Sequence, residues 1–328
     1  MIRPALPMRL ASSVVALALV AGACGGDDDA SAGGTTSTGA TASTGEPPGT
    51  AAPFPRSVTS GESTIELAEA PDAIVSLSPS ATEMLFGIGA GDQVIAADAY
   101  SNYPAEAPVT DLDGNTPNVE ALLGYEPDLV VISFDPGDVV SGLDAAGVPT
   151  LVLGAAATLD DTYEQIEVLG AATGHDAEAT ALNDAIRADI EALVSTAAER
   201  PEPLTYYHEL DDTLYSVTSS TFVGEIYALA GFENIADAAD PNGDAGGYPQ
   251  LSAEYIIEAD PDVIFLADTK CCAQDATTVA ARPGWSNLAA VTAGNVVELD
   301  DDIVSRWGPR VVEFLETIIT ATNEIDAA

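Results

Sequence analysis

The stretch DAEATALNDAIRADIEALVSTAAE, residues 176–199, decides how the rest of the chain is arranged. Ala179, Leu182, Ile186, Ile190, Leu193, Val194 and Ala197 recur at spacings of three and four, which lines them along one face of a helix. Glu178, Asn183, Asp184, Arg187, Asp189 and Glu191 take the other face. A helix of this length spans about 35 Å. It is expected to stop at Glu199-Arg200-Pro201, because proline has no N–H with which to continue the ladder. On each side lies a segment of similar size in which strand and helix patterns alternate. The stripe therefore predicts either two lobes, 57–175 and 201–328, held apart by a rigid helix over 176–200, or one large domain containing an ordinary amphipathic helix.

Working outward, 73–77, 93–97, 128–133 and 149–153 read as strands before this helix, with helices opening at Ser78-Pro79-Ser80 and spanning 118–124. After it, 204–209, 262–267 and 296–299 read as strands, and 222–230, 252–258 and 304–322 as helices. Such alternation predicts parallel sheets covered on both faces. One internal match is sharp. Asn118-Val119-Glu120-Ala121-Leu122-Leu123 and then Pro127-Asp128-Leu129-Val130 align without a gap on Ser252-Ala253-Glu254-Tyr255-Ile256-Ile257 and then Pro261-Asp262-Val263-Ile264. A capping residue, a glutamate two positions on, an apolar helix, Pro-Asp and a strand recur in both halves. The fold class expected is α/β, two Rossmann-like lobes bridged by a single long α-helix with a ligand cleft between them.

A chain of 328 residues is long enough for two domains. Nine Lys and Arg against 53 Asp and Glu give a net charge of −44, which excludes a nucleic-acid partner and suits a solvated extracellular surface. Two histidines, His175 and His208, are too few for a histidine-rich metal site, and His208 reads more readily as a core residue. No Gly-rich phosphate loop or nucleophile elbow is present. The carboxylates are spread along the chain without a recognisable acid/base pair, so an extracellular carboxylate-based hydrolase is the weaker alternative. Three cysteines cannot form a disulfide framework. Cys271 and Cys272 are adjacent in a loop after a strand. Outside the cytoplasm they form either a vicinal disulfide or two reduced thiols.

At the N-terminus Arg3 and Arg9 precede the apolar run 10–20 and the small residues Ala21-Gly22-Ala23, the pattern of a signal peptide over 1–23. The run is too short to span a bilayer comfortably. Cys24 after small residues resembles the bacterial lipobox, with Ala21 where that motif usually has leucine. The likeness implies that Cys24 is lipidated and that this lipid is the chain's sole attachment to the membrane. Residues 24–56, rich in Gly, Thr, Ser and Pro, have almost nothing apolar to bury and read as a disordered tether.

Ile74 to Glu83, the loop Tyr100 to Pro104, Asn118 to Val131, Tyr215 to Asn234, Ala281 to Trp285, Asp302 and Ser305 to Arg310 occur in an order and spacing that resemble one family: the cobalamin and iron–siderophore substrate-binding proteins of ABC importers. The resemblance covers about residues 71–320. It implies a monomeric extracytoplasmic receptor, not an enzyme and with no cofactor of its own. Its ligand would be a small-molecule metal chelate, a cobalt corrinoid ahead of a ferric siderophore, delivered to the permease dimer of an ABC transporter. By position it implies Tyr100, Phe134 and Tyr248 as aromatic ligand contacts, Glu209, Asp302 and Arg306 as polar ones, and Trp307 beside them. Some relatives carry tryptophan where this chain has Leu112 and Tyr248. The same resemblance implies that Glu120 and Glu254, one in each lobe, dock on the permease. A heme receptor, with Tyr100 or Tyr248 on the iron, is the alternative carrier.

Overall fold

In the computed structural model, residues 53–61, 63–198 and 200–327 are described; the expected signal segment, Cys24 and the tether up to residue 52 lie outside them. An antiparallel hairpin, β1 (Arg56–Ser60) and β2 (Ser63–Leu67), comes first. Next come β3 (Ile74–Leu77), α1 (Pro79–Gly87), β4 (Val94–Ala97), α2 (Val119–Leu123), β5 (Leu129–Ile132), α3 (Val139–Ala145) and β6 (Thr150–Val152). These strands form a parallel sheet in the order β4-β3-β5-β6. Two helices, α4 (Leu159–Thr173) and α5 (Asp176–Val194), lead to the second half. There β7 (Leu204–Glu209), α6 (Phe222–Leu229), β8 (Phe232–Asn234), α7 (Ala253–Ala259), β9 (Val263–Leu266), α8 (Ala276–Ala280), α9 (Ala289–Ala293) and β10 (Val296–Glu298) build a second parallel sheet. Its order is β8-β7-β9-β10, and α10 (Asp301–Val304) and α11 (Val311–Ala327) close the chain.

In chain order both sheets read second, first, third, fourth, so the two halves share one topology. The sequence repeat falls on its equivalent parts. Asn118 caps α2 by accepting from Ala121 N, and Ser252 caps α7 by accepting from Tyr255 N; each helix feeds the third strand of its sheet. Along β5, Leu129 and Val131 face one core while Val130 and Ile132 face another. Along β9, Val263 and Phe265 alternate in the same way with Ile264 and Leu266. This period of two buries every residue of both strands, as expected of sheets covered on both sides. One apolar core runs without a break from the first sheet through α4, α5 and α11 to the second.

The central helix packs on α4 and α11. Gly170 of α4 permits the close approach, since a Cβ there would lie 2.5 Å from Ala179 Cβ. The buried face is Ala179, Asn183, Ile186 and Ile190. Asn183, expected on the polar side, is buried because its Nδ2 donates to Tyr163 O at 2.9 Å. The helix also ends at Val194 instead of 199, for a length of about 28 Å. Ser195 and Thr196 turn their hydroxyls onto Ala192 O and Leu193 O, which competes with continuing the helix and stops it before Pro201 is reached. Two further corrections concern the ends. The closing helix expected over 304–322 is split into α10 and α11 by a turn containing Gly308-Pro309. Arg56, assigned to the tether, begins β1 and is buried, its Nη1 bonded to Ala171 O at 2.7 Å and to Asp176.

Among the described residues no helix is long and apolar enough to cross a membrane.

Candidate functional site

In parallel α/β sheets, ligands collect at the carboxyl ends of the strands, where strand order reverses. A cavity of about 300 Å³ occupies such a place between the halves. Ala155 and Ala156 after β6 contribute from the first half; His208, Leu210, Tyr248 and Trp307 are among those from the second. Phe222 and Val223, at the start of α6, supply apolar wall. That helix sits tightly over the preceding loop, where a Cβ on Gly224 would come within 2.1 Å of Thr218 O.

Trp307 is held by its indole Nε1, which donates to Gln165 Oε1 at 3.0 Å, while Gln165 Nε2 donates to Gly154 O at 2.7 Å. An anchor residue of the second half is thus fixed by the first. His208 is fully buried at the cavity wall; its Nδ1 meets Tyr227 OH at 2.8 Å and its Nε2 has no protein partner. Burial pushes its pKa down to about 3, so the ring is neutral at physiological pH. Tyr248 is 46 % exposed, and partial burial raises the pKa of its phenol.

The structure sorts the expected contacts into three groups. Tyr248 and Trp307 share the cavity. Tyr100, 58 % exposed, follows β4, and Phe134, 48 % exposed, follows β5; both stand at the carboxyl edge of the first sheet, outside the enclosed cavity. The loop carrying Tyr100 is set by Asp98 Oδ1, which accepts from Tyr100 N and Ser101 N.

Glu209 and Arg306 are corrections. Glu209 is wholly buried, with both oxygens 2.5 Å from Arg282 guanidinium nitrogens. Side chains alternate along β7, so Tyr206 and His208 face α6 and the cavity side while Tyr207 and Glu209 face the opposite core and Arg282. Arg306 is buried and fully engaged: Nη1 donates to Glu83 Oε1 at 2.9 Å, and Nη2 to Tyr100 O, Asn102 Oδ1 and Asp302 Oδ1 at 2.9–3.0 Å. Arg310 completes the cluster by donating to both oxygens of Glu83. Asp302 accepts from Arg306, Asn102 and Lys270. These residues bind the C-terminal segment to α1 and the Tyr100 loop and do not line the cavity.

Sequence reasoning missed Leu210, Phe222 and Val223, which look like ordinary apolar core until α6 is placed over the end of β7. It also missed Asp268, a buried carboxylate for which neither oxygen finds a donor. Burial, and then the neighbouring charge of Glu209, raises its pKa to about 7. Among the described residues no cluster of three or more His, Cys, Asp or Glu is placed to hold a metal ion.

Residues 74–303 match the periplasmic binding protein family. The chain is 29 % identical over 263 residues to an uncharacterized ABC transporter substrate-binding lipoprotein of Bacillus subtilis, covering 77 % of this chain and 81 % of the relative. It is 33 % identical over 260 residues to a cobalamin-binding protein of Halobacterium salinarum, covering 76 % and 69 %. Among solved structures, a periplasmic heme-binding protein of Roseiflexus sp. RS-1 in apo form superposes with a TM-score of 0.67 at 25 % identity, covering 77 % of this chain and 98 % of that one.

Proposed function

Because the chain belongs to the periplasmic binding protein family, we propose that it is the extracytoplasmic receptor of an ABC importer and that it captures a corrinoid in preference to a ferric siderophore. It is a binding protein and not an enzyme. The observation that carries the ligand preference is the state of the basic residues. Every Arg and Lys among the described residues already has an internal partner. Arg56 pairs with Asp176, Arg187 lies over the Tyr163 ring, Arg200 donates to Thr322 O, Lys270 binds Asp300 and Asp302, Arg282 holds Glu209, and Arg306 and Arg310 hold Glu83. A trianionic ferric catecholate would find every cation among the described residues already engaged, and the net charge of −44 on the whole chain slows its encounter. A neutral or cationic chelate suits an apolar, aromatic cavity. The cavity admits one edge of such a ligand, with Tyr100 and Phe134 supporting what lies outside it. The metal travels with the ligand as cargo.

The permease partner follows from the same family membership, and the contact points belong to this proposal. Glu120 and Glu254 are exposed in the first turns of α2 and α7, equivalent helices of the two halves. A single glutamate there is accounted for by helix-dipole stabilisation. An equivalent pair on two lobes joined through one core offers two anchor points at fixed spacing. Lipidation of Cys24 would keep the receptor beside the membrane.

The test is a panel of cyanocobalamin, hemin, a ferric hydroxamate and a ferric catecholate, read by thermal shift and difference absorbance. Cyanocobalamin is expected to raise Tm and perturb the corrin spectrum, since a ligand at a hundred times its Kd stabilises the folded state by about 2.7 kcal/mol. Tight ferric-catecholate binding with no response to cyanocobalamin would overturn the preference.

A further inference from the structure

We propose that the Cys271–Cys272 disulfide is a ligand-contacting wall of the cavity and that reducing it weakens capture of the chelate, a role that rests on the corrinoid reading above. The two Sγ atoms are joined, and Cys271 lines the same cavity as Leu210, Tyr248 and Trp307. A bond between adjacent residues closes no length of chain, so it removes almost nothing from the entropy of the unfolded state and is not a staple for the fold. Its effect is local: it fixes two sulfurs as one rigid, polarizable surface, a good partner for the flat face of a conjugated ring.

The surrounding structure holds that surface in place. Asp301 Oδ1 accepts from Thr269 N at 3.0 Å, and Asp301 Oδ2 accepts from Lys270 N at 2.9 Å and Cys271 N at 3.0 Å. Cys272 N donates to Asp268 O at 3.2 Å. Gln274 Nε2 donates to Cys272 O at 3.1 Å, while Gln274 Oε1 accepts from Arg282, itself locked on buried Glu209. None of these bonds uses a sulfur, so the loop remains anchored when the disulfide opens. What changes is the wall. A dithiol supplies two electrons and two protons, the Sγ–Sγ bond breaks, each sulfur becomes an S–H, and the dithiol leaves as its own cyclic disulfide. The two side chains then regain rotamer freedom, which ligand binding has to remove again.

The experiment compares oxidised protein, protein reduced with dithiothreitol and freed of it under argon, and the C271S/C272S variant. The reductant is removed first because it would react with the cobalt centre. Cyanocobalamin Kd is expected to rise about tenfold on reduction and in the variant. The variant should not respond to dithiothreitol, and Tm of the ligand-free forms should stay within about 2 °C of one another. A second readout needs no ligand: emission of Trp307 should change on reduction in the wild type and not in W307F. Equal Kd for oxidised and reduced protein overturns the proposal, as does a loss of binding that follows a large fall in Tm. If the oxidised protein binds none of the panel, the chelate reading fails. The wall is then judged by Trp307, and unchanged emission overturns it.

Discussion

Glu83→Gln tests what holds the two halves together. Glu83 lies in α1 with 3 % of its surface exposed, and its carboxylate takes three charge-assisted bonds. Arg306 Nη1 reaches Oε1 at 2.9 Å, Arg310 Nη2 reaches Oε1 at 2.6 Å, and Arg310 Nε reaches Oε2 at 3.0 Å. Glutamine preserves the shape, removes the charge and turns an NH2 toward guanidinium N–H groups that also need acceptors. Removing one partner from a buried ionic cluster costs about 3–5 kcal/mol. Asp302 and the Tyr100 carbonyl still serve Arg306, which favours the lower end. At about 2–4 °C per kcal/mol for a chain of this size, Tm should fall by roughly 6–12 °C. Calorimetry at neutral pH measures it, and hydrogen exchange should accelerate in α1 and in the turn between α10 and α11. Replacing the cluster by apolar groups, E83L with R306M and R310M, should restore much of the loss, because a buried triad exchanged whole for hydrophobic side chains is often neutral or better. A fall of less than about 2 °C in Glu83→Gln would refute the view that this cluster ties the C-terminal segment to the first half.

Two other outcomes are expected. Asp268 has a pKa of about 7 in the folded protein against an ordinary 3.8, so between those values the folded state keeps a proton that the unfolded chain has released. Stability from that proton is complete below about pH 4 and is lost as pH rises through 7. Asp268→Asn, which can still donate toward Glu209, should therefore raise stability at pH 8, by at most about 4 kcal/mol, and leave pH 4 nearly unchanged; equal effects at both pH values in thermal melts would contradict this. Glu120→Arg combined with Glu254→Arg should abolish uptake in cells while leaving Tm and cyanocobalamin Kd close to wild type, and normal uptake by the double variant would remove the docking role.

Much of the fold was legible because its signals are local and periodic. The strands announce themselves as short apolar runs, and the stretch from Asn118 to Val130 reappears at Ser252 to Ile264 as the same cap, helix and third strand in both sheets. The end of α5 was not legible, because Ser195 and Thr196 can either sit in a helix or bond back to it. Asn323 Oδ1, from the distant α11, accepts from Ala198 N just beyond the helix and draws the chain away from its axis. Arg56 was misplaced for a related reason. Its partners, Ala171 O and Asp176, lie more than a hundred positions away, and nothing in a Gly- and Thr-rich neighbourhood signals them.

The site was harder to read than the fold because a charged residue near a strand end has two destinations that look alike in sequence. Of the aromatic residues singled out, Tyr248 and Trp307 line the cavity, while Tyr100 and Phe134 stand outside it. Glu209 and Arg306 went elsewhere, for a reason that the composition contains in outline. The quantity that matters is the ratio, nine cations to 53 anions. Any carboxylate that is buried must have a partner or give up its charge. Glu83 claims Arg306 and Arg310, Glu209 claims Arg282, and Asp268, left without a donor, keeps its proton up to about pH 7. The scarcity of cations thus settles internal pairing first and leaves the cavity to apolar, aromatic and sulfur surfaces. A ligand recognised by those surfaces must carry its own charge balance, which a corrinoid does and a ferric catecholate does not.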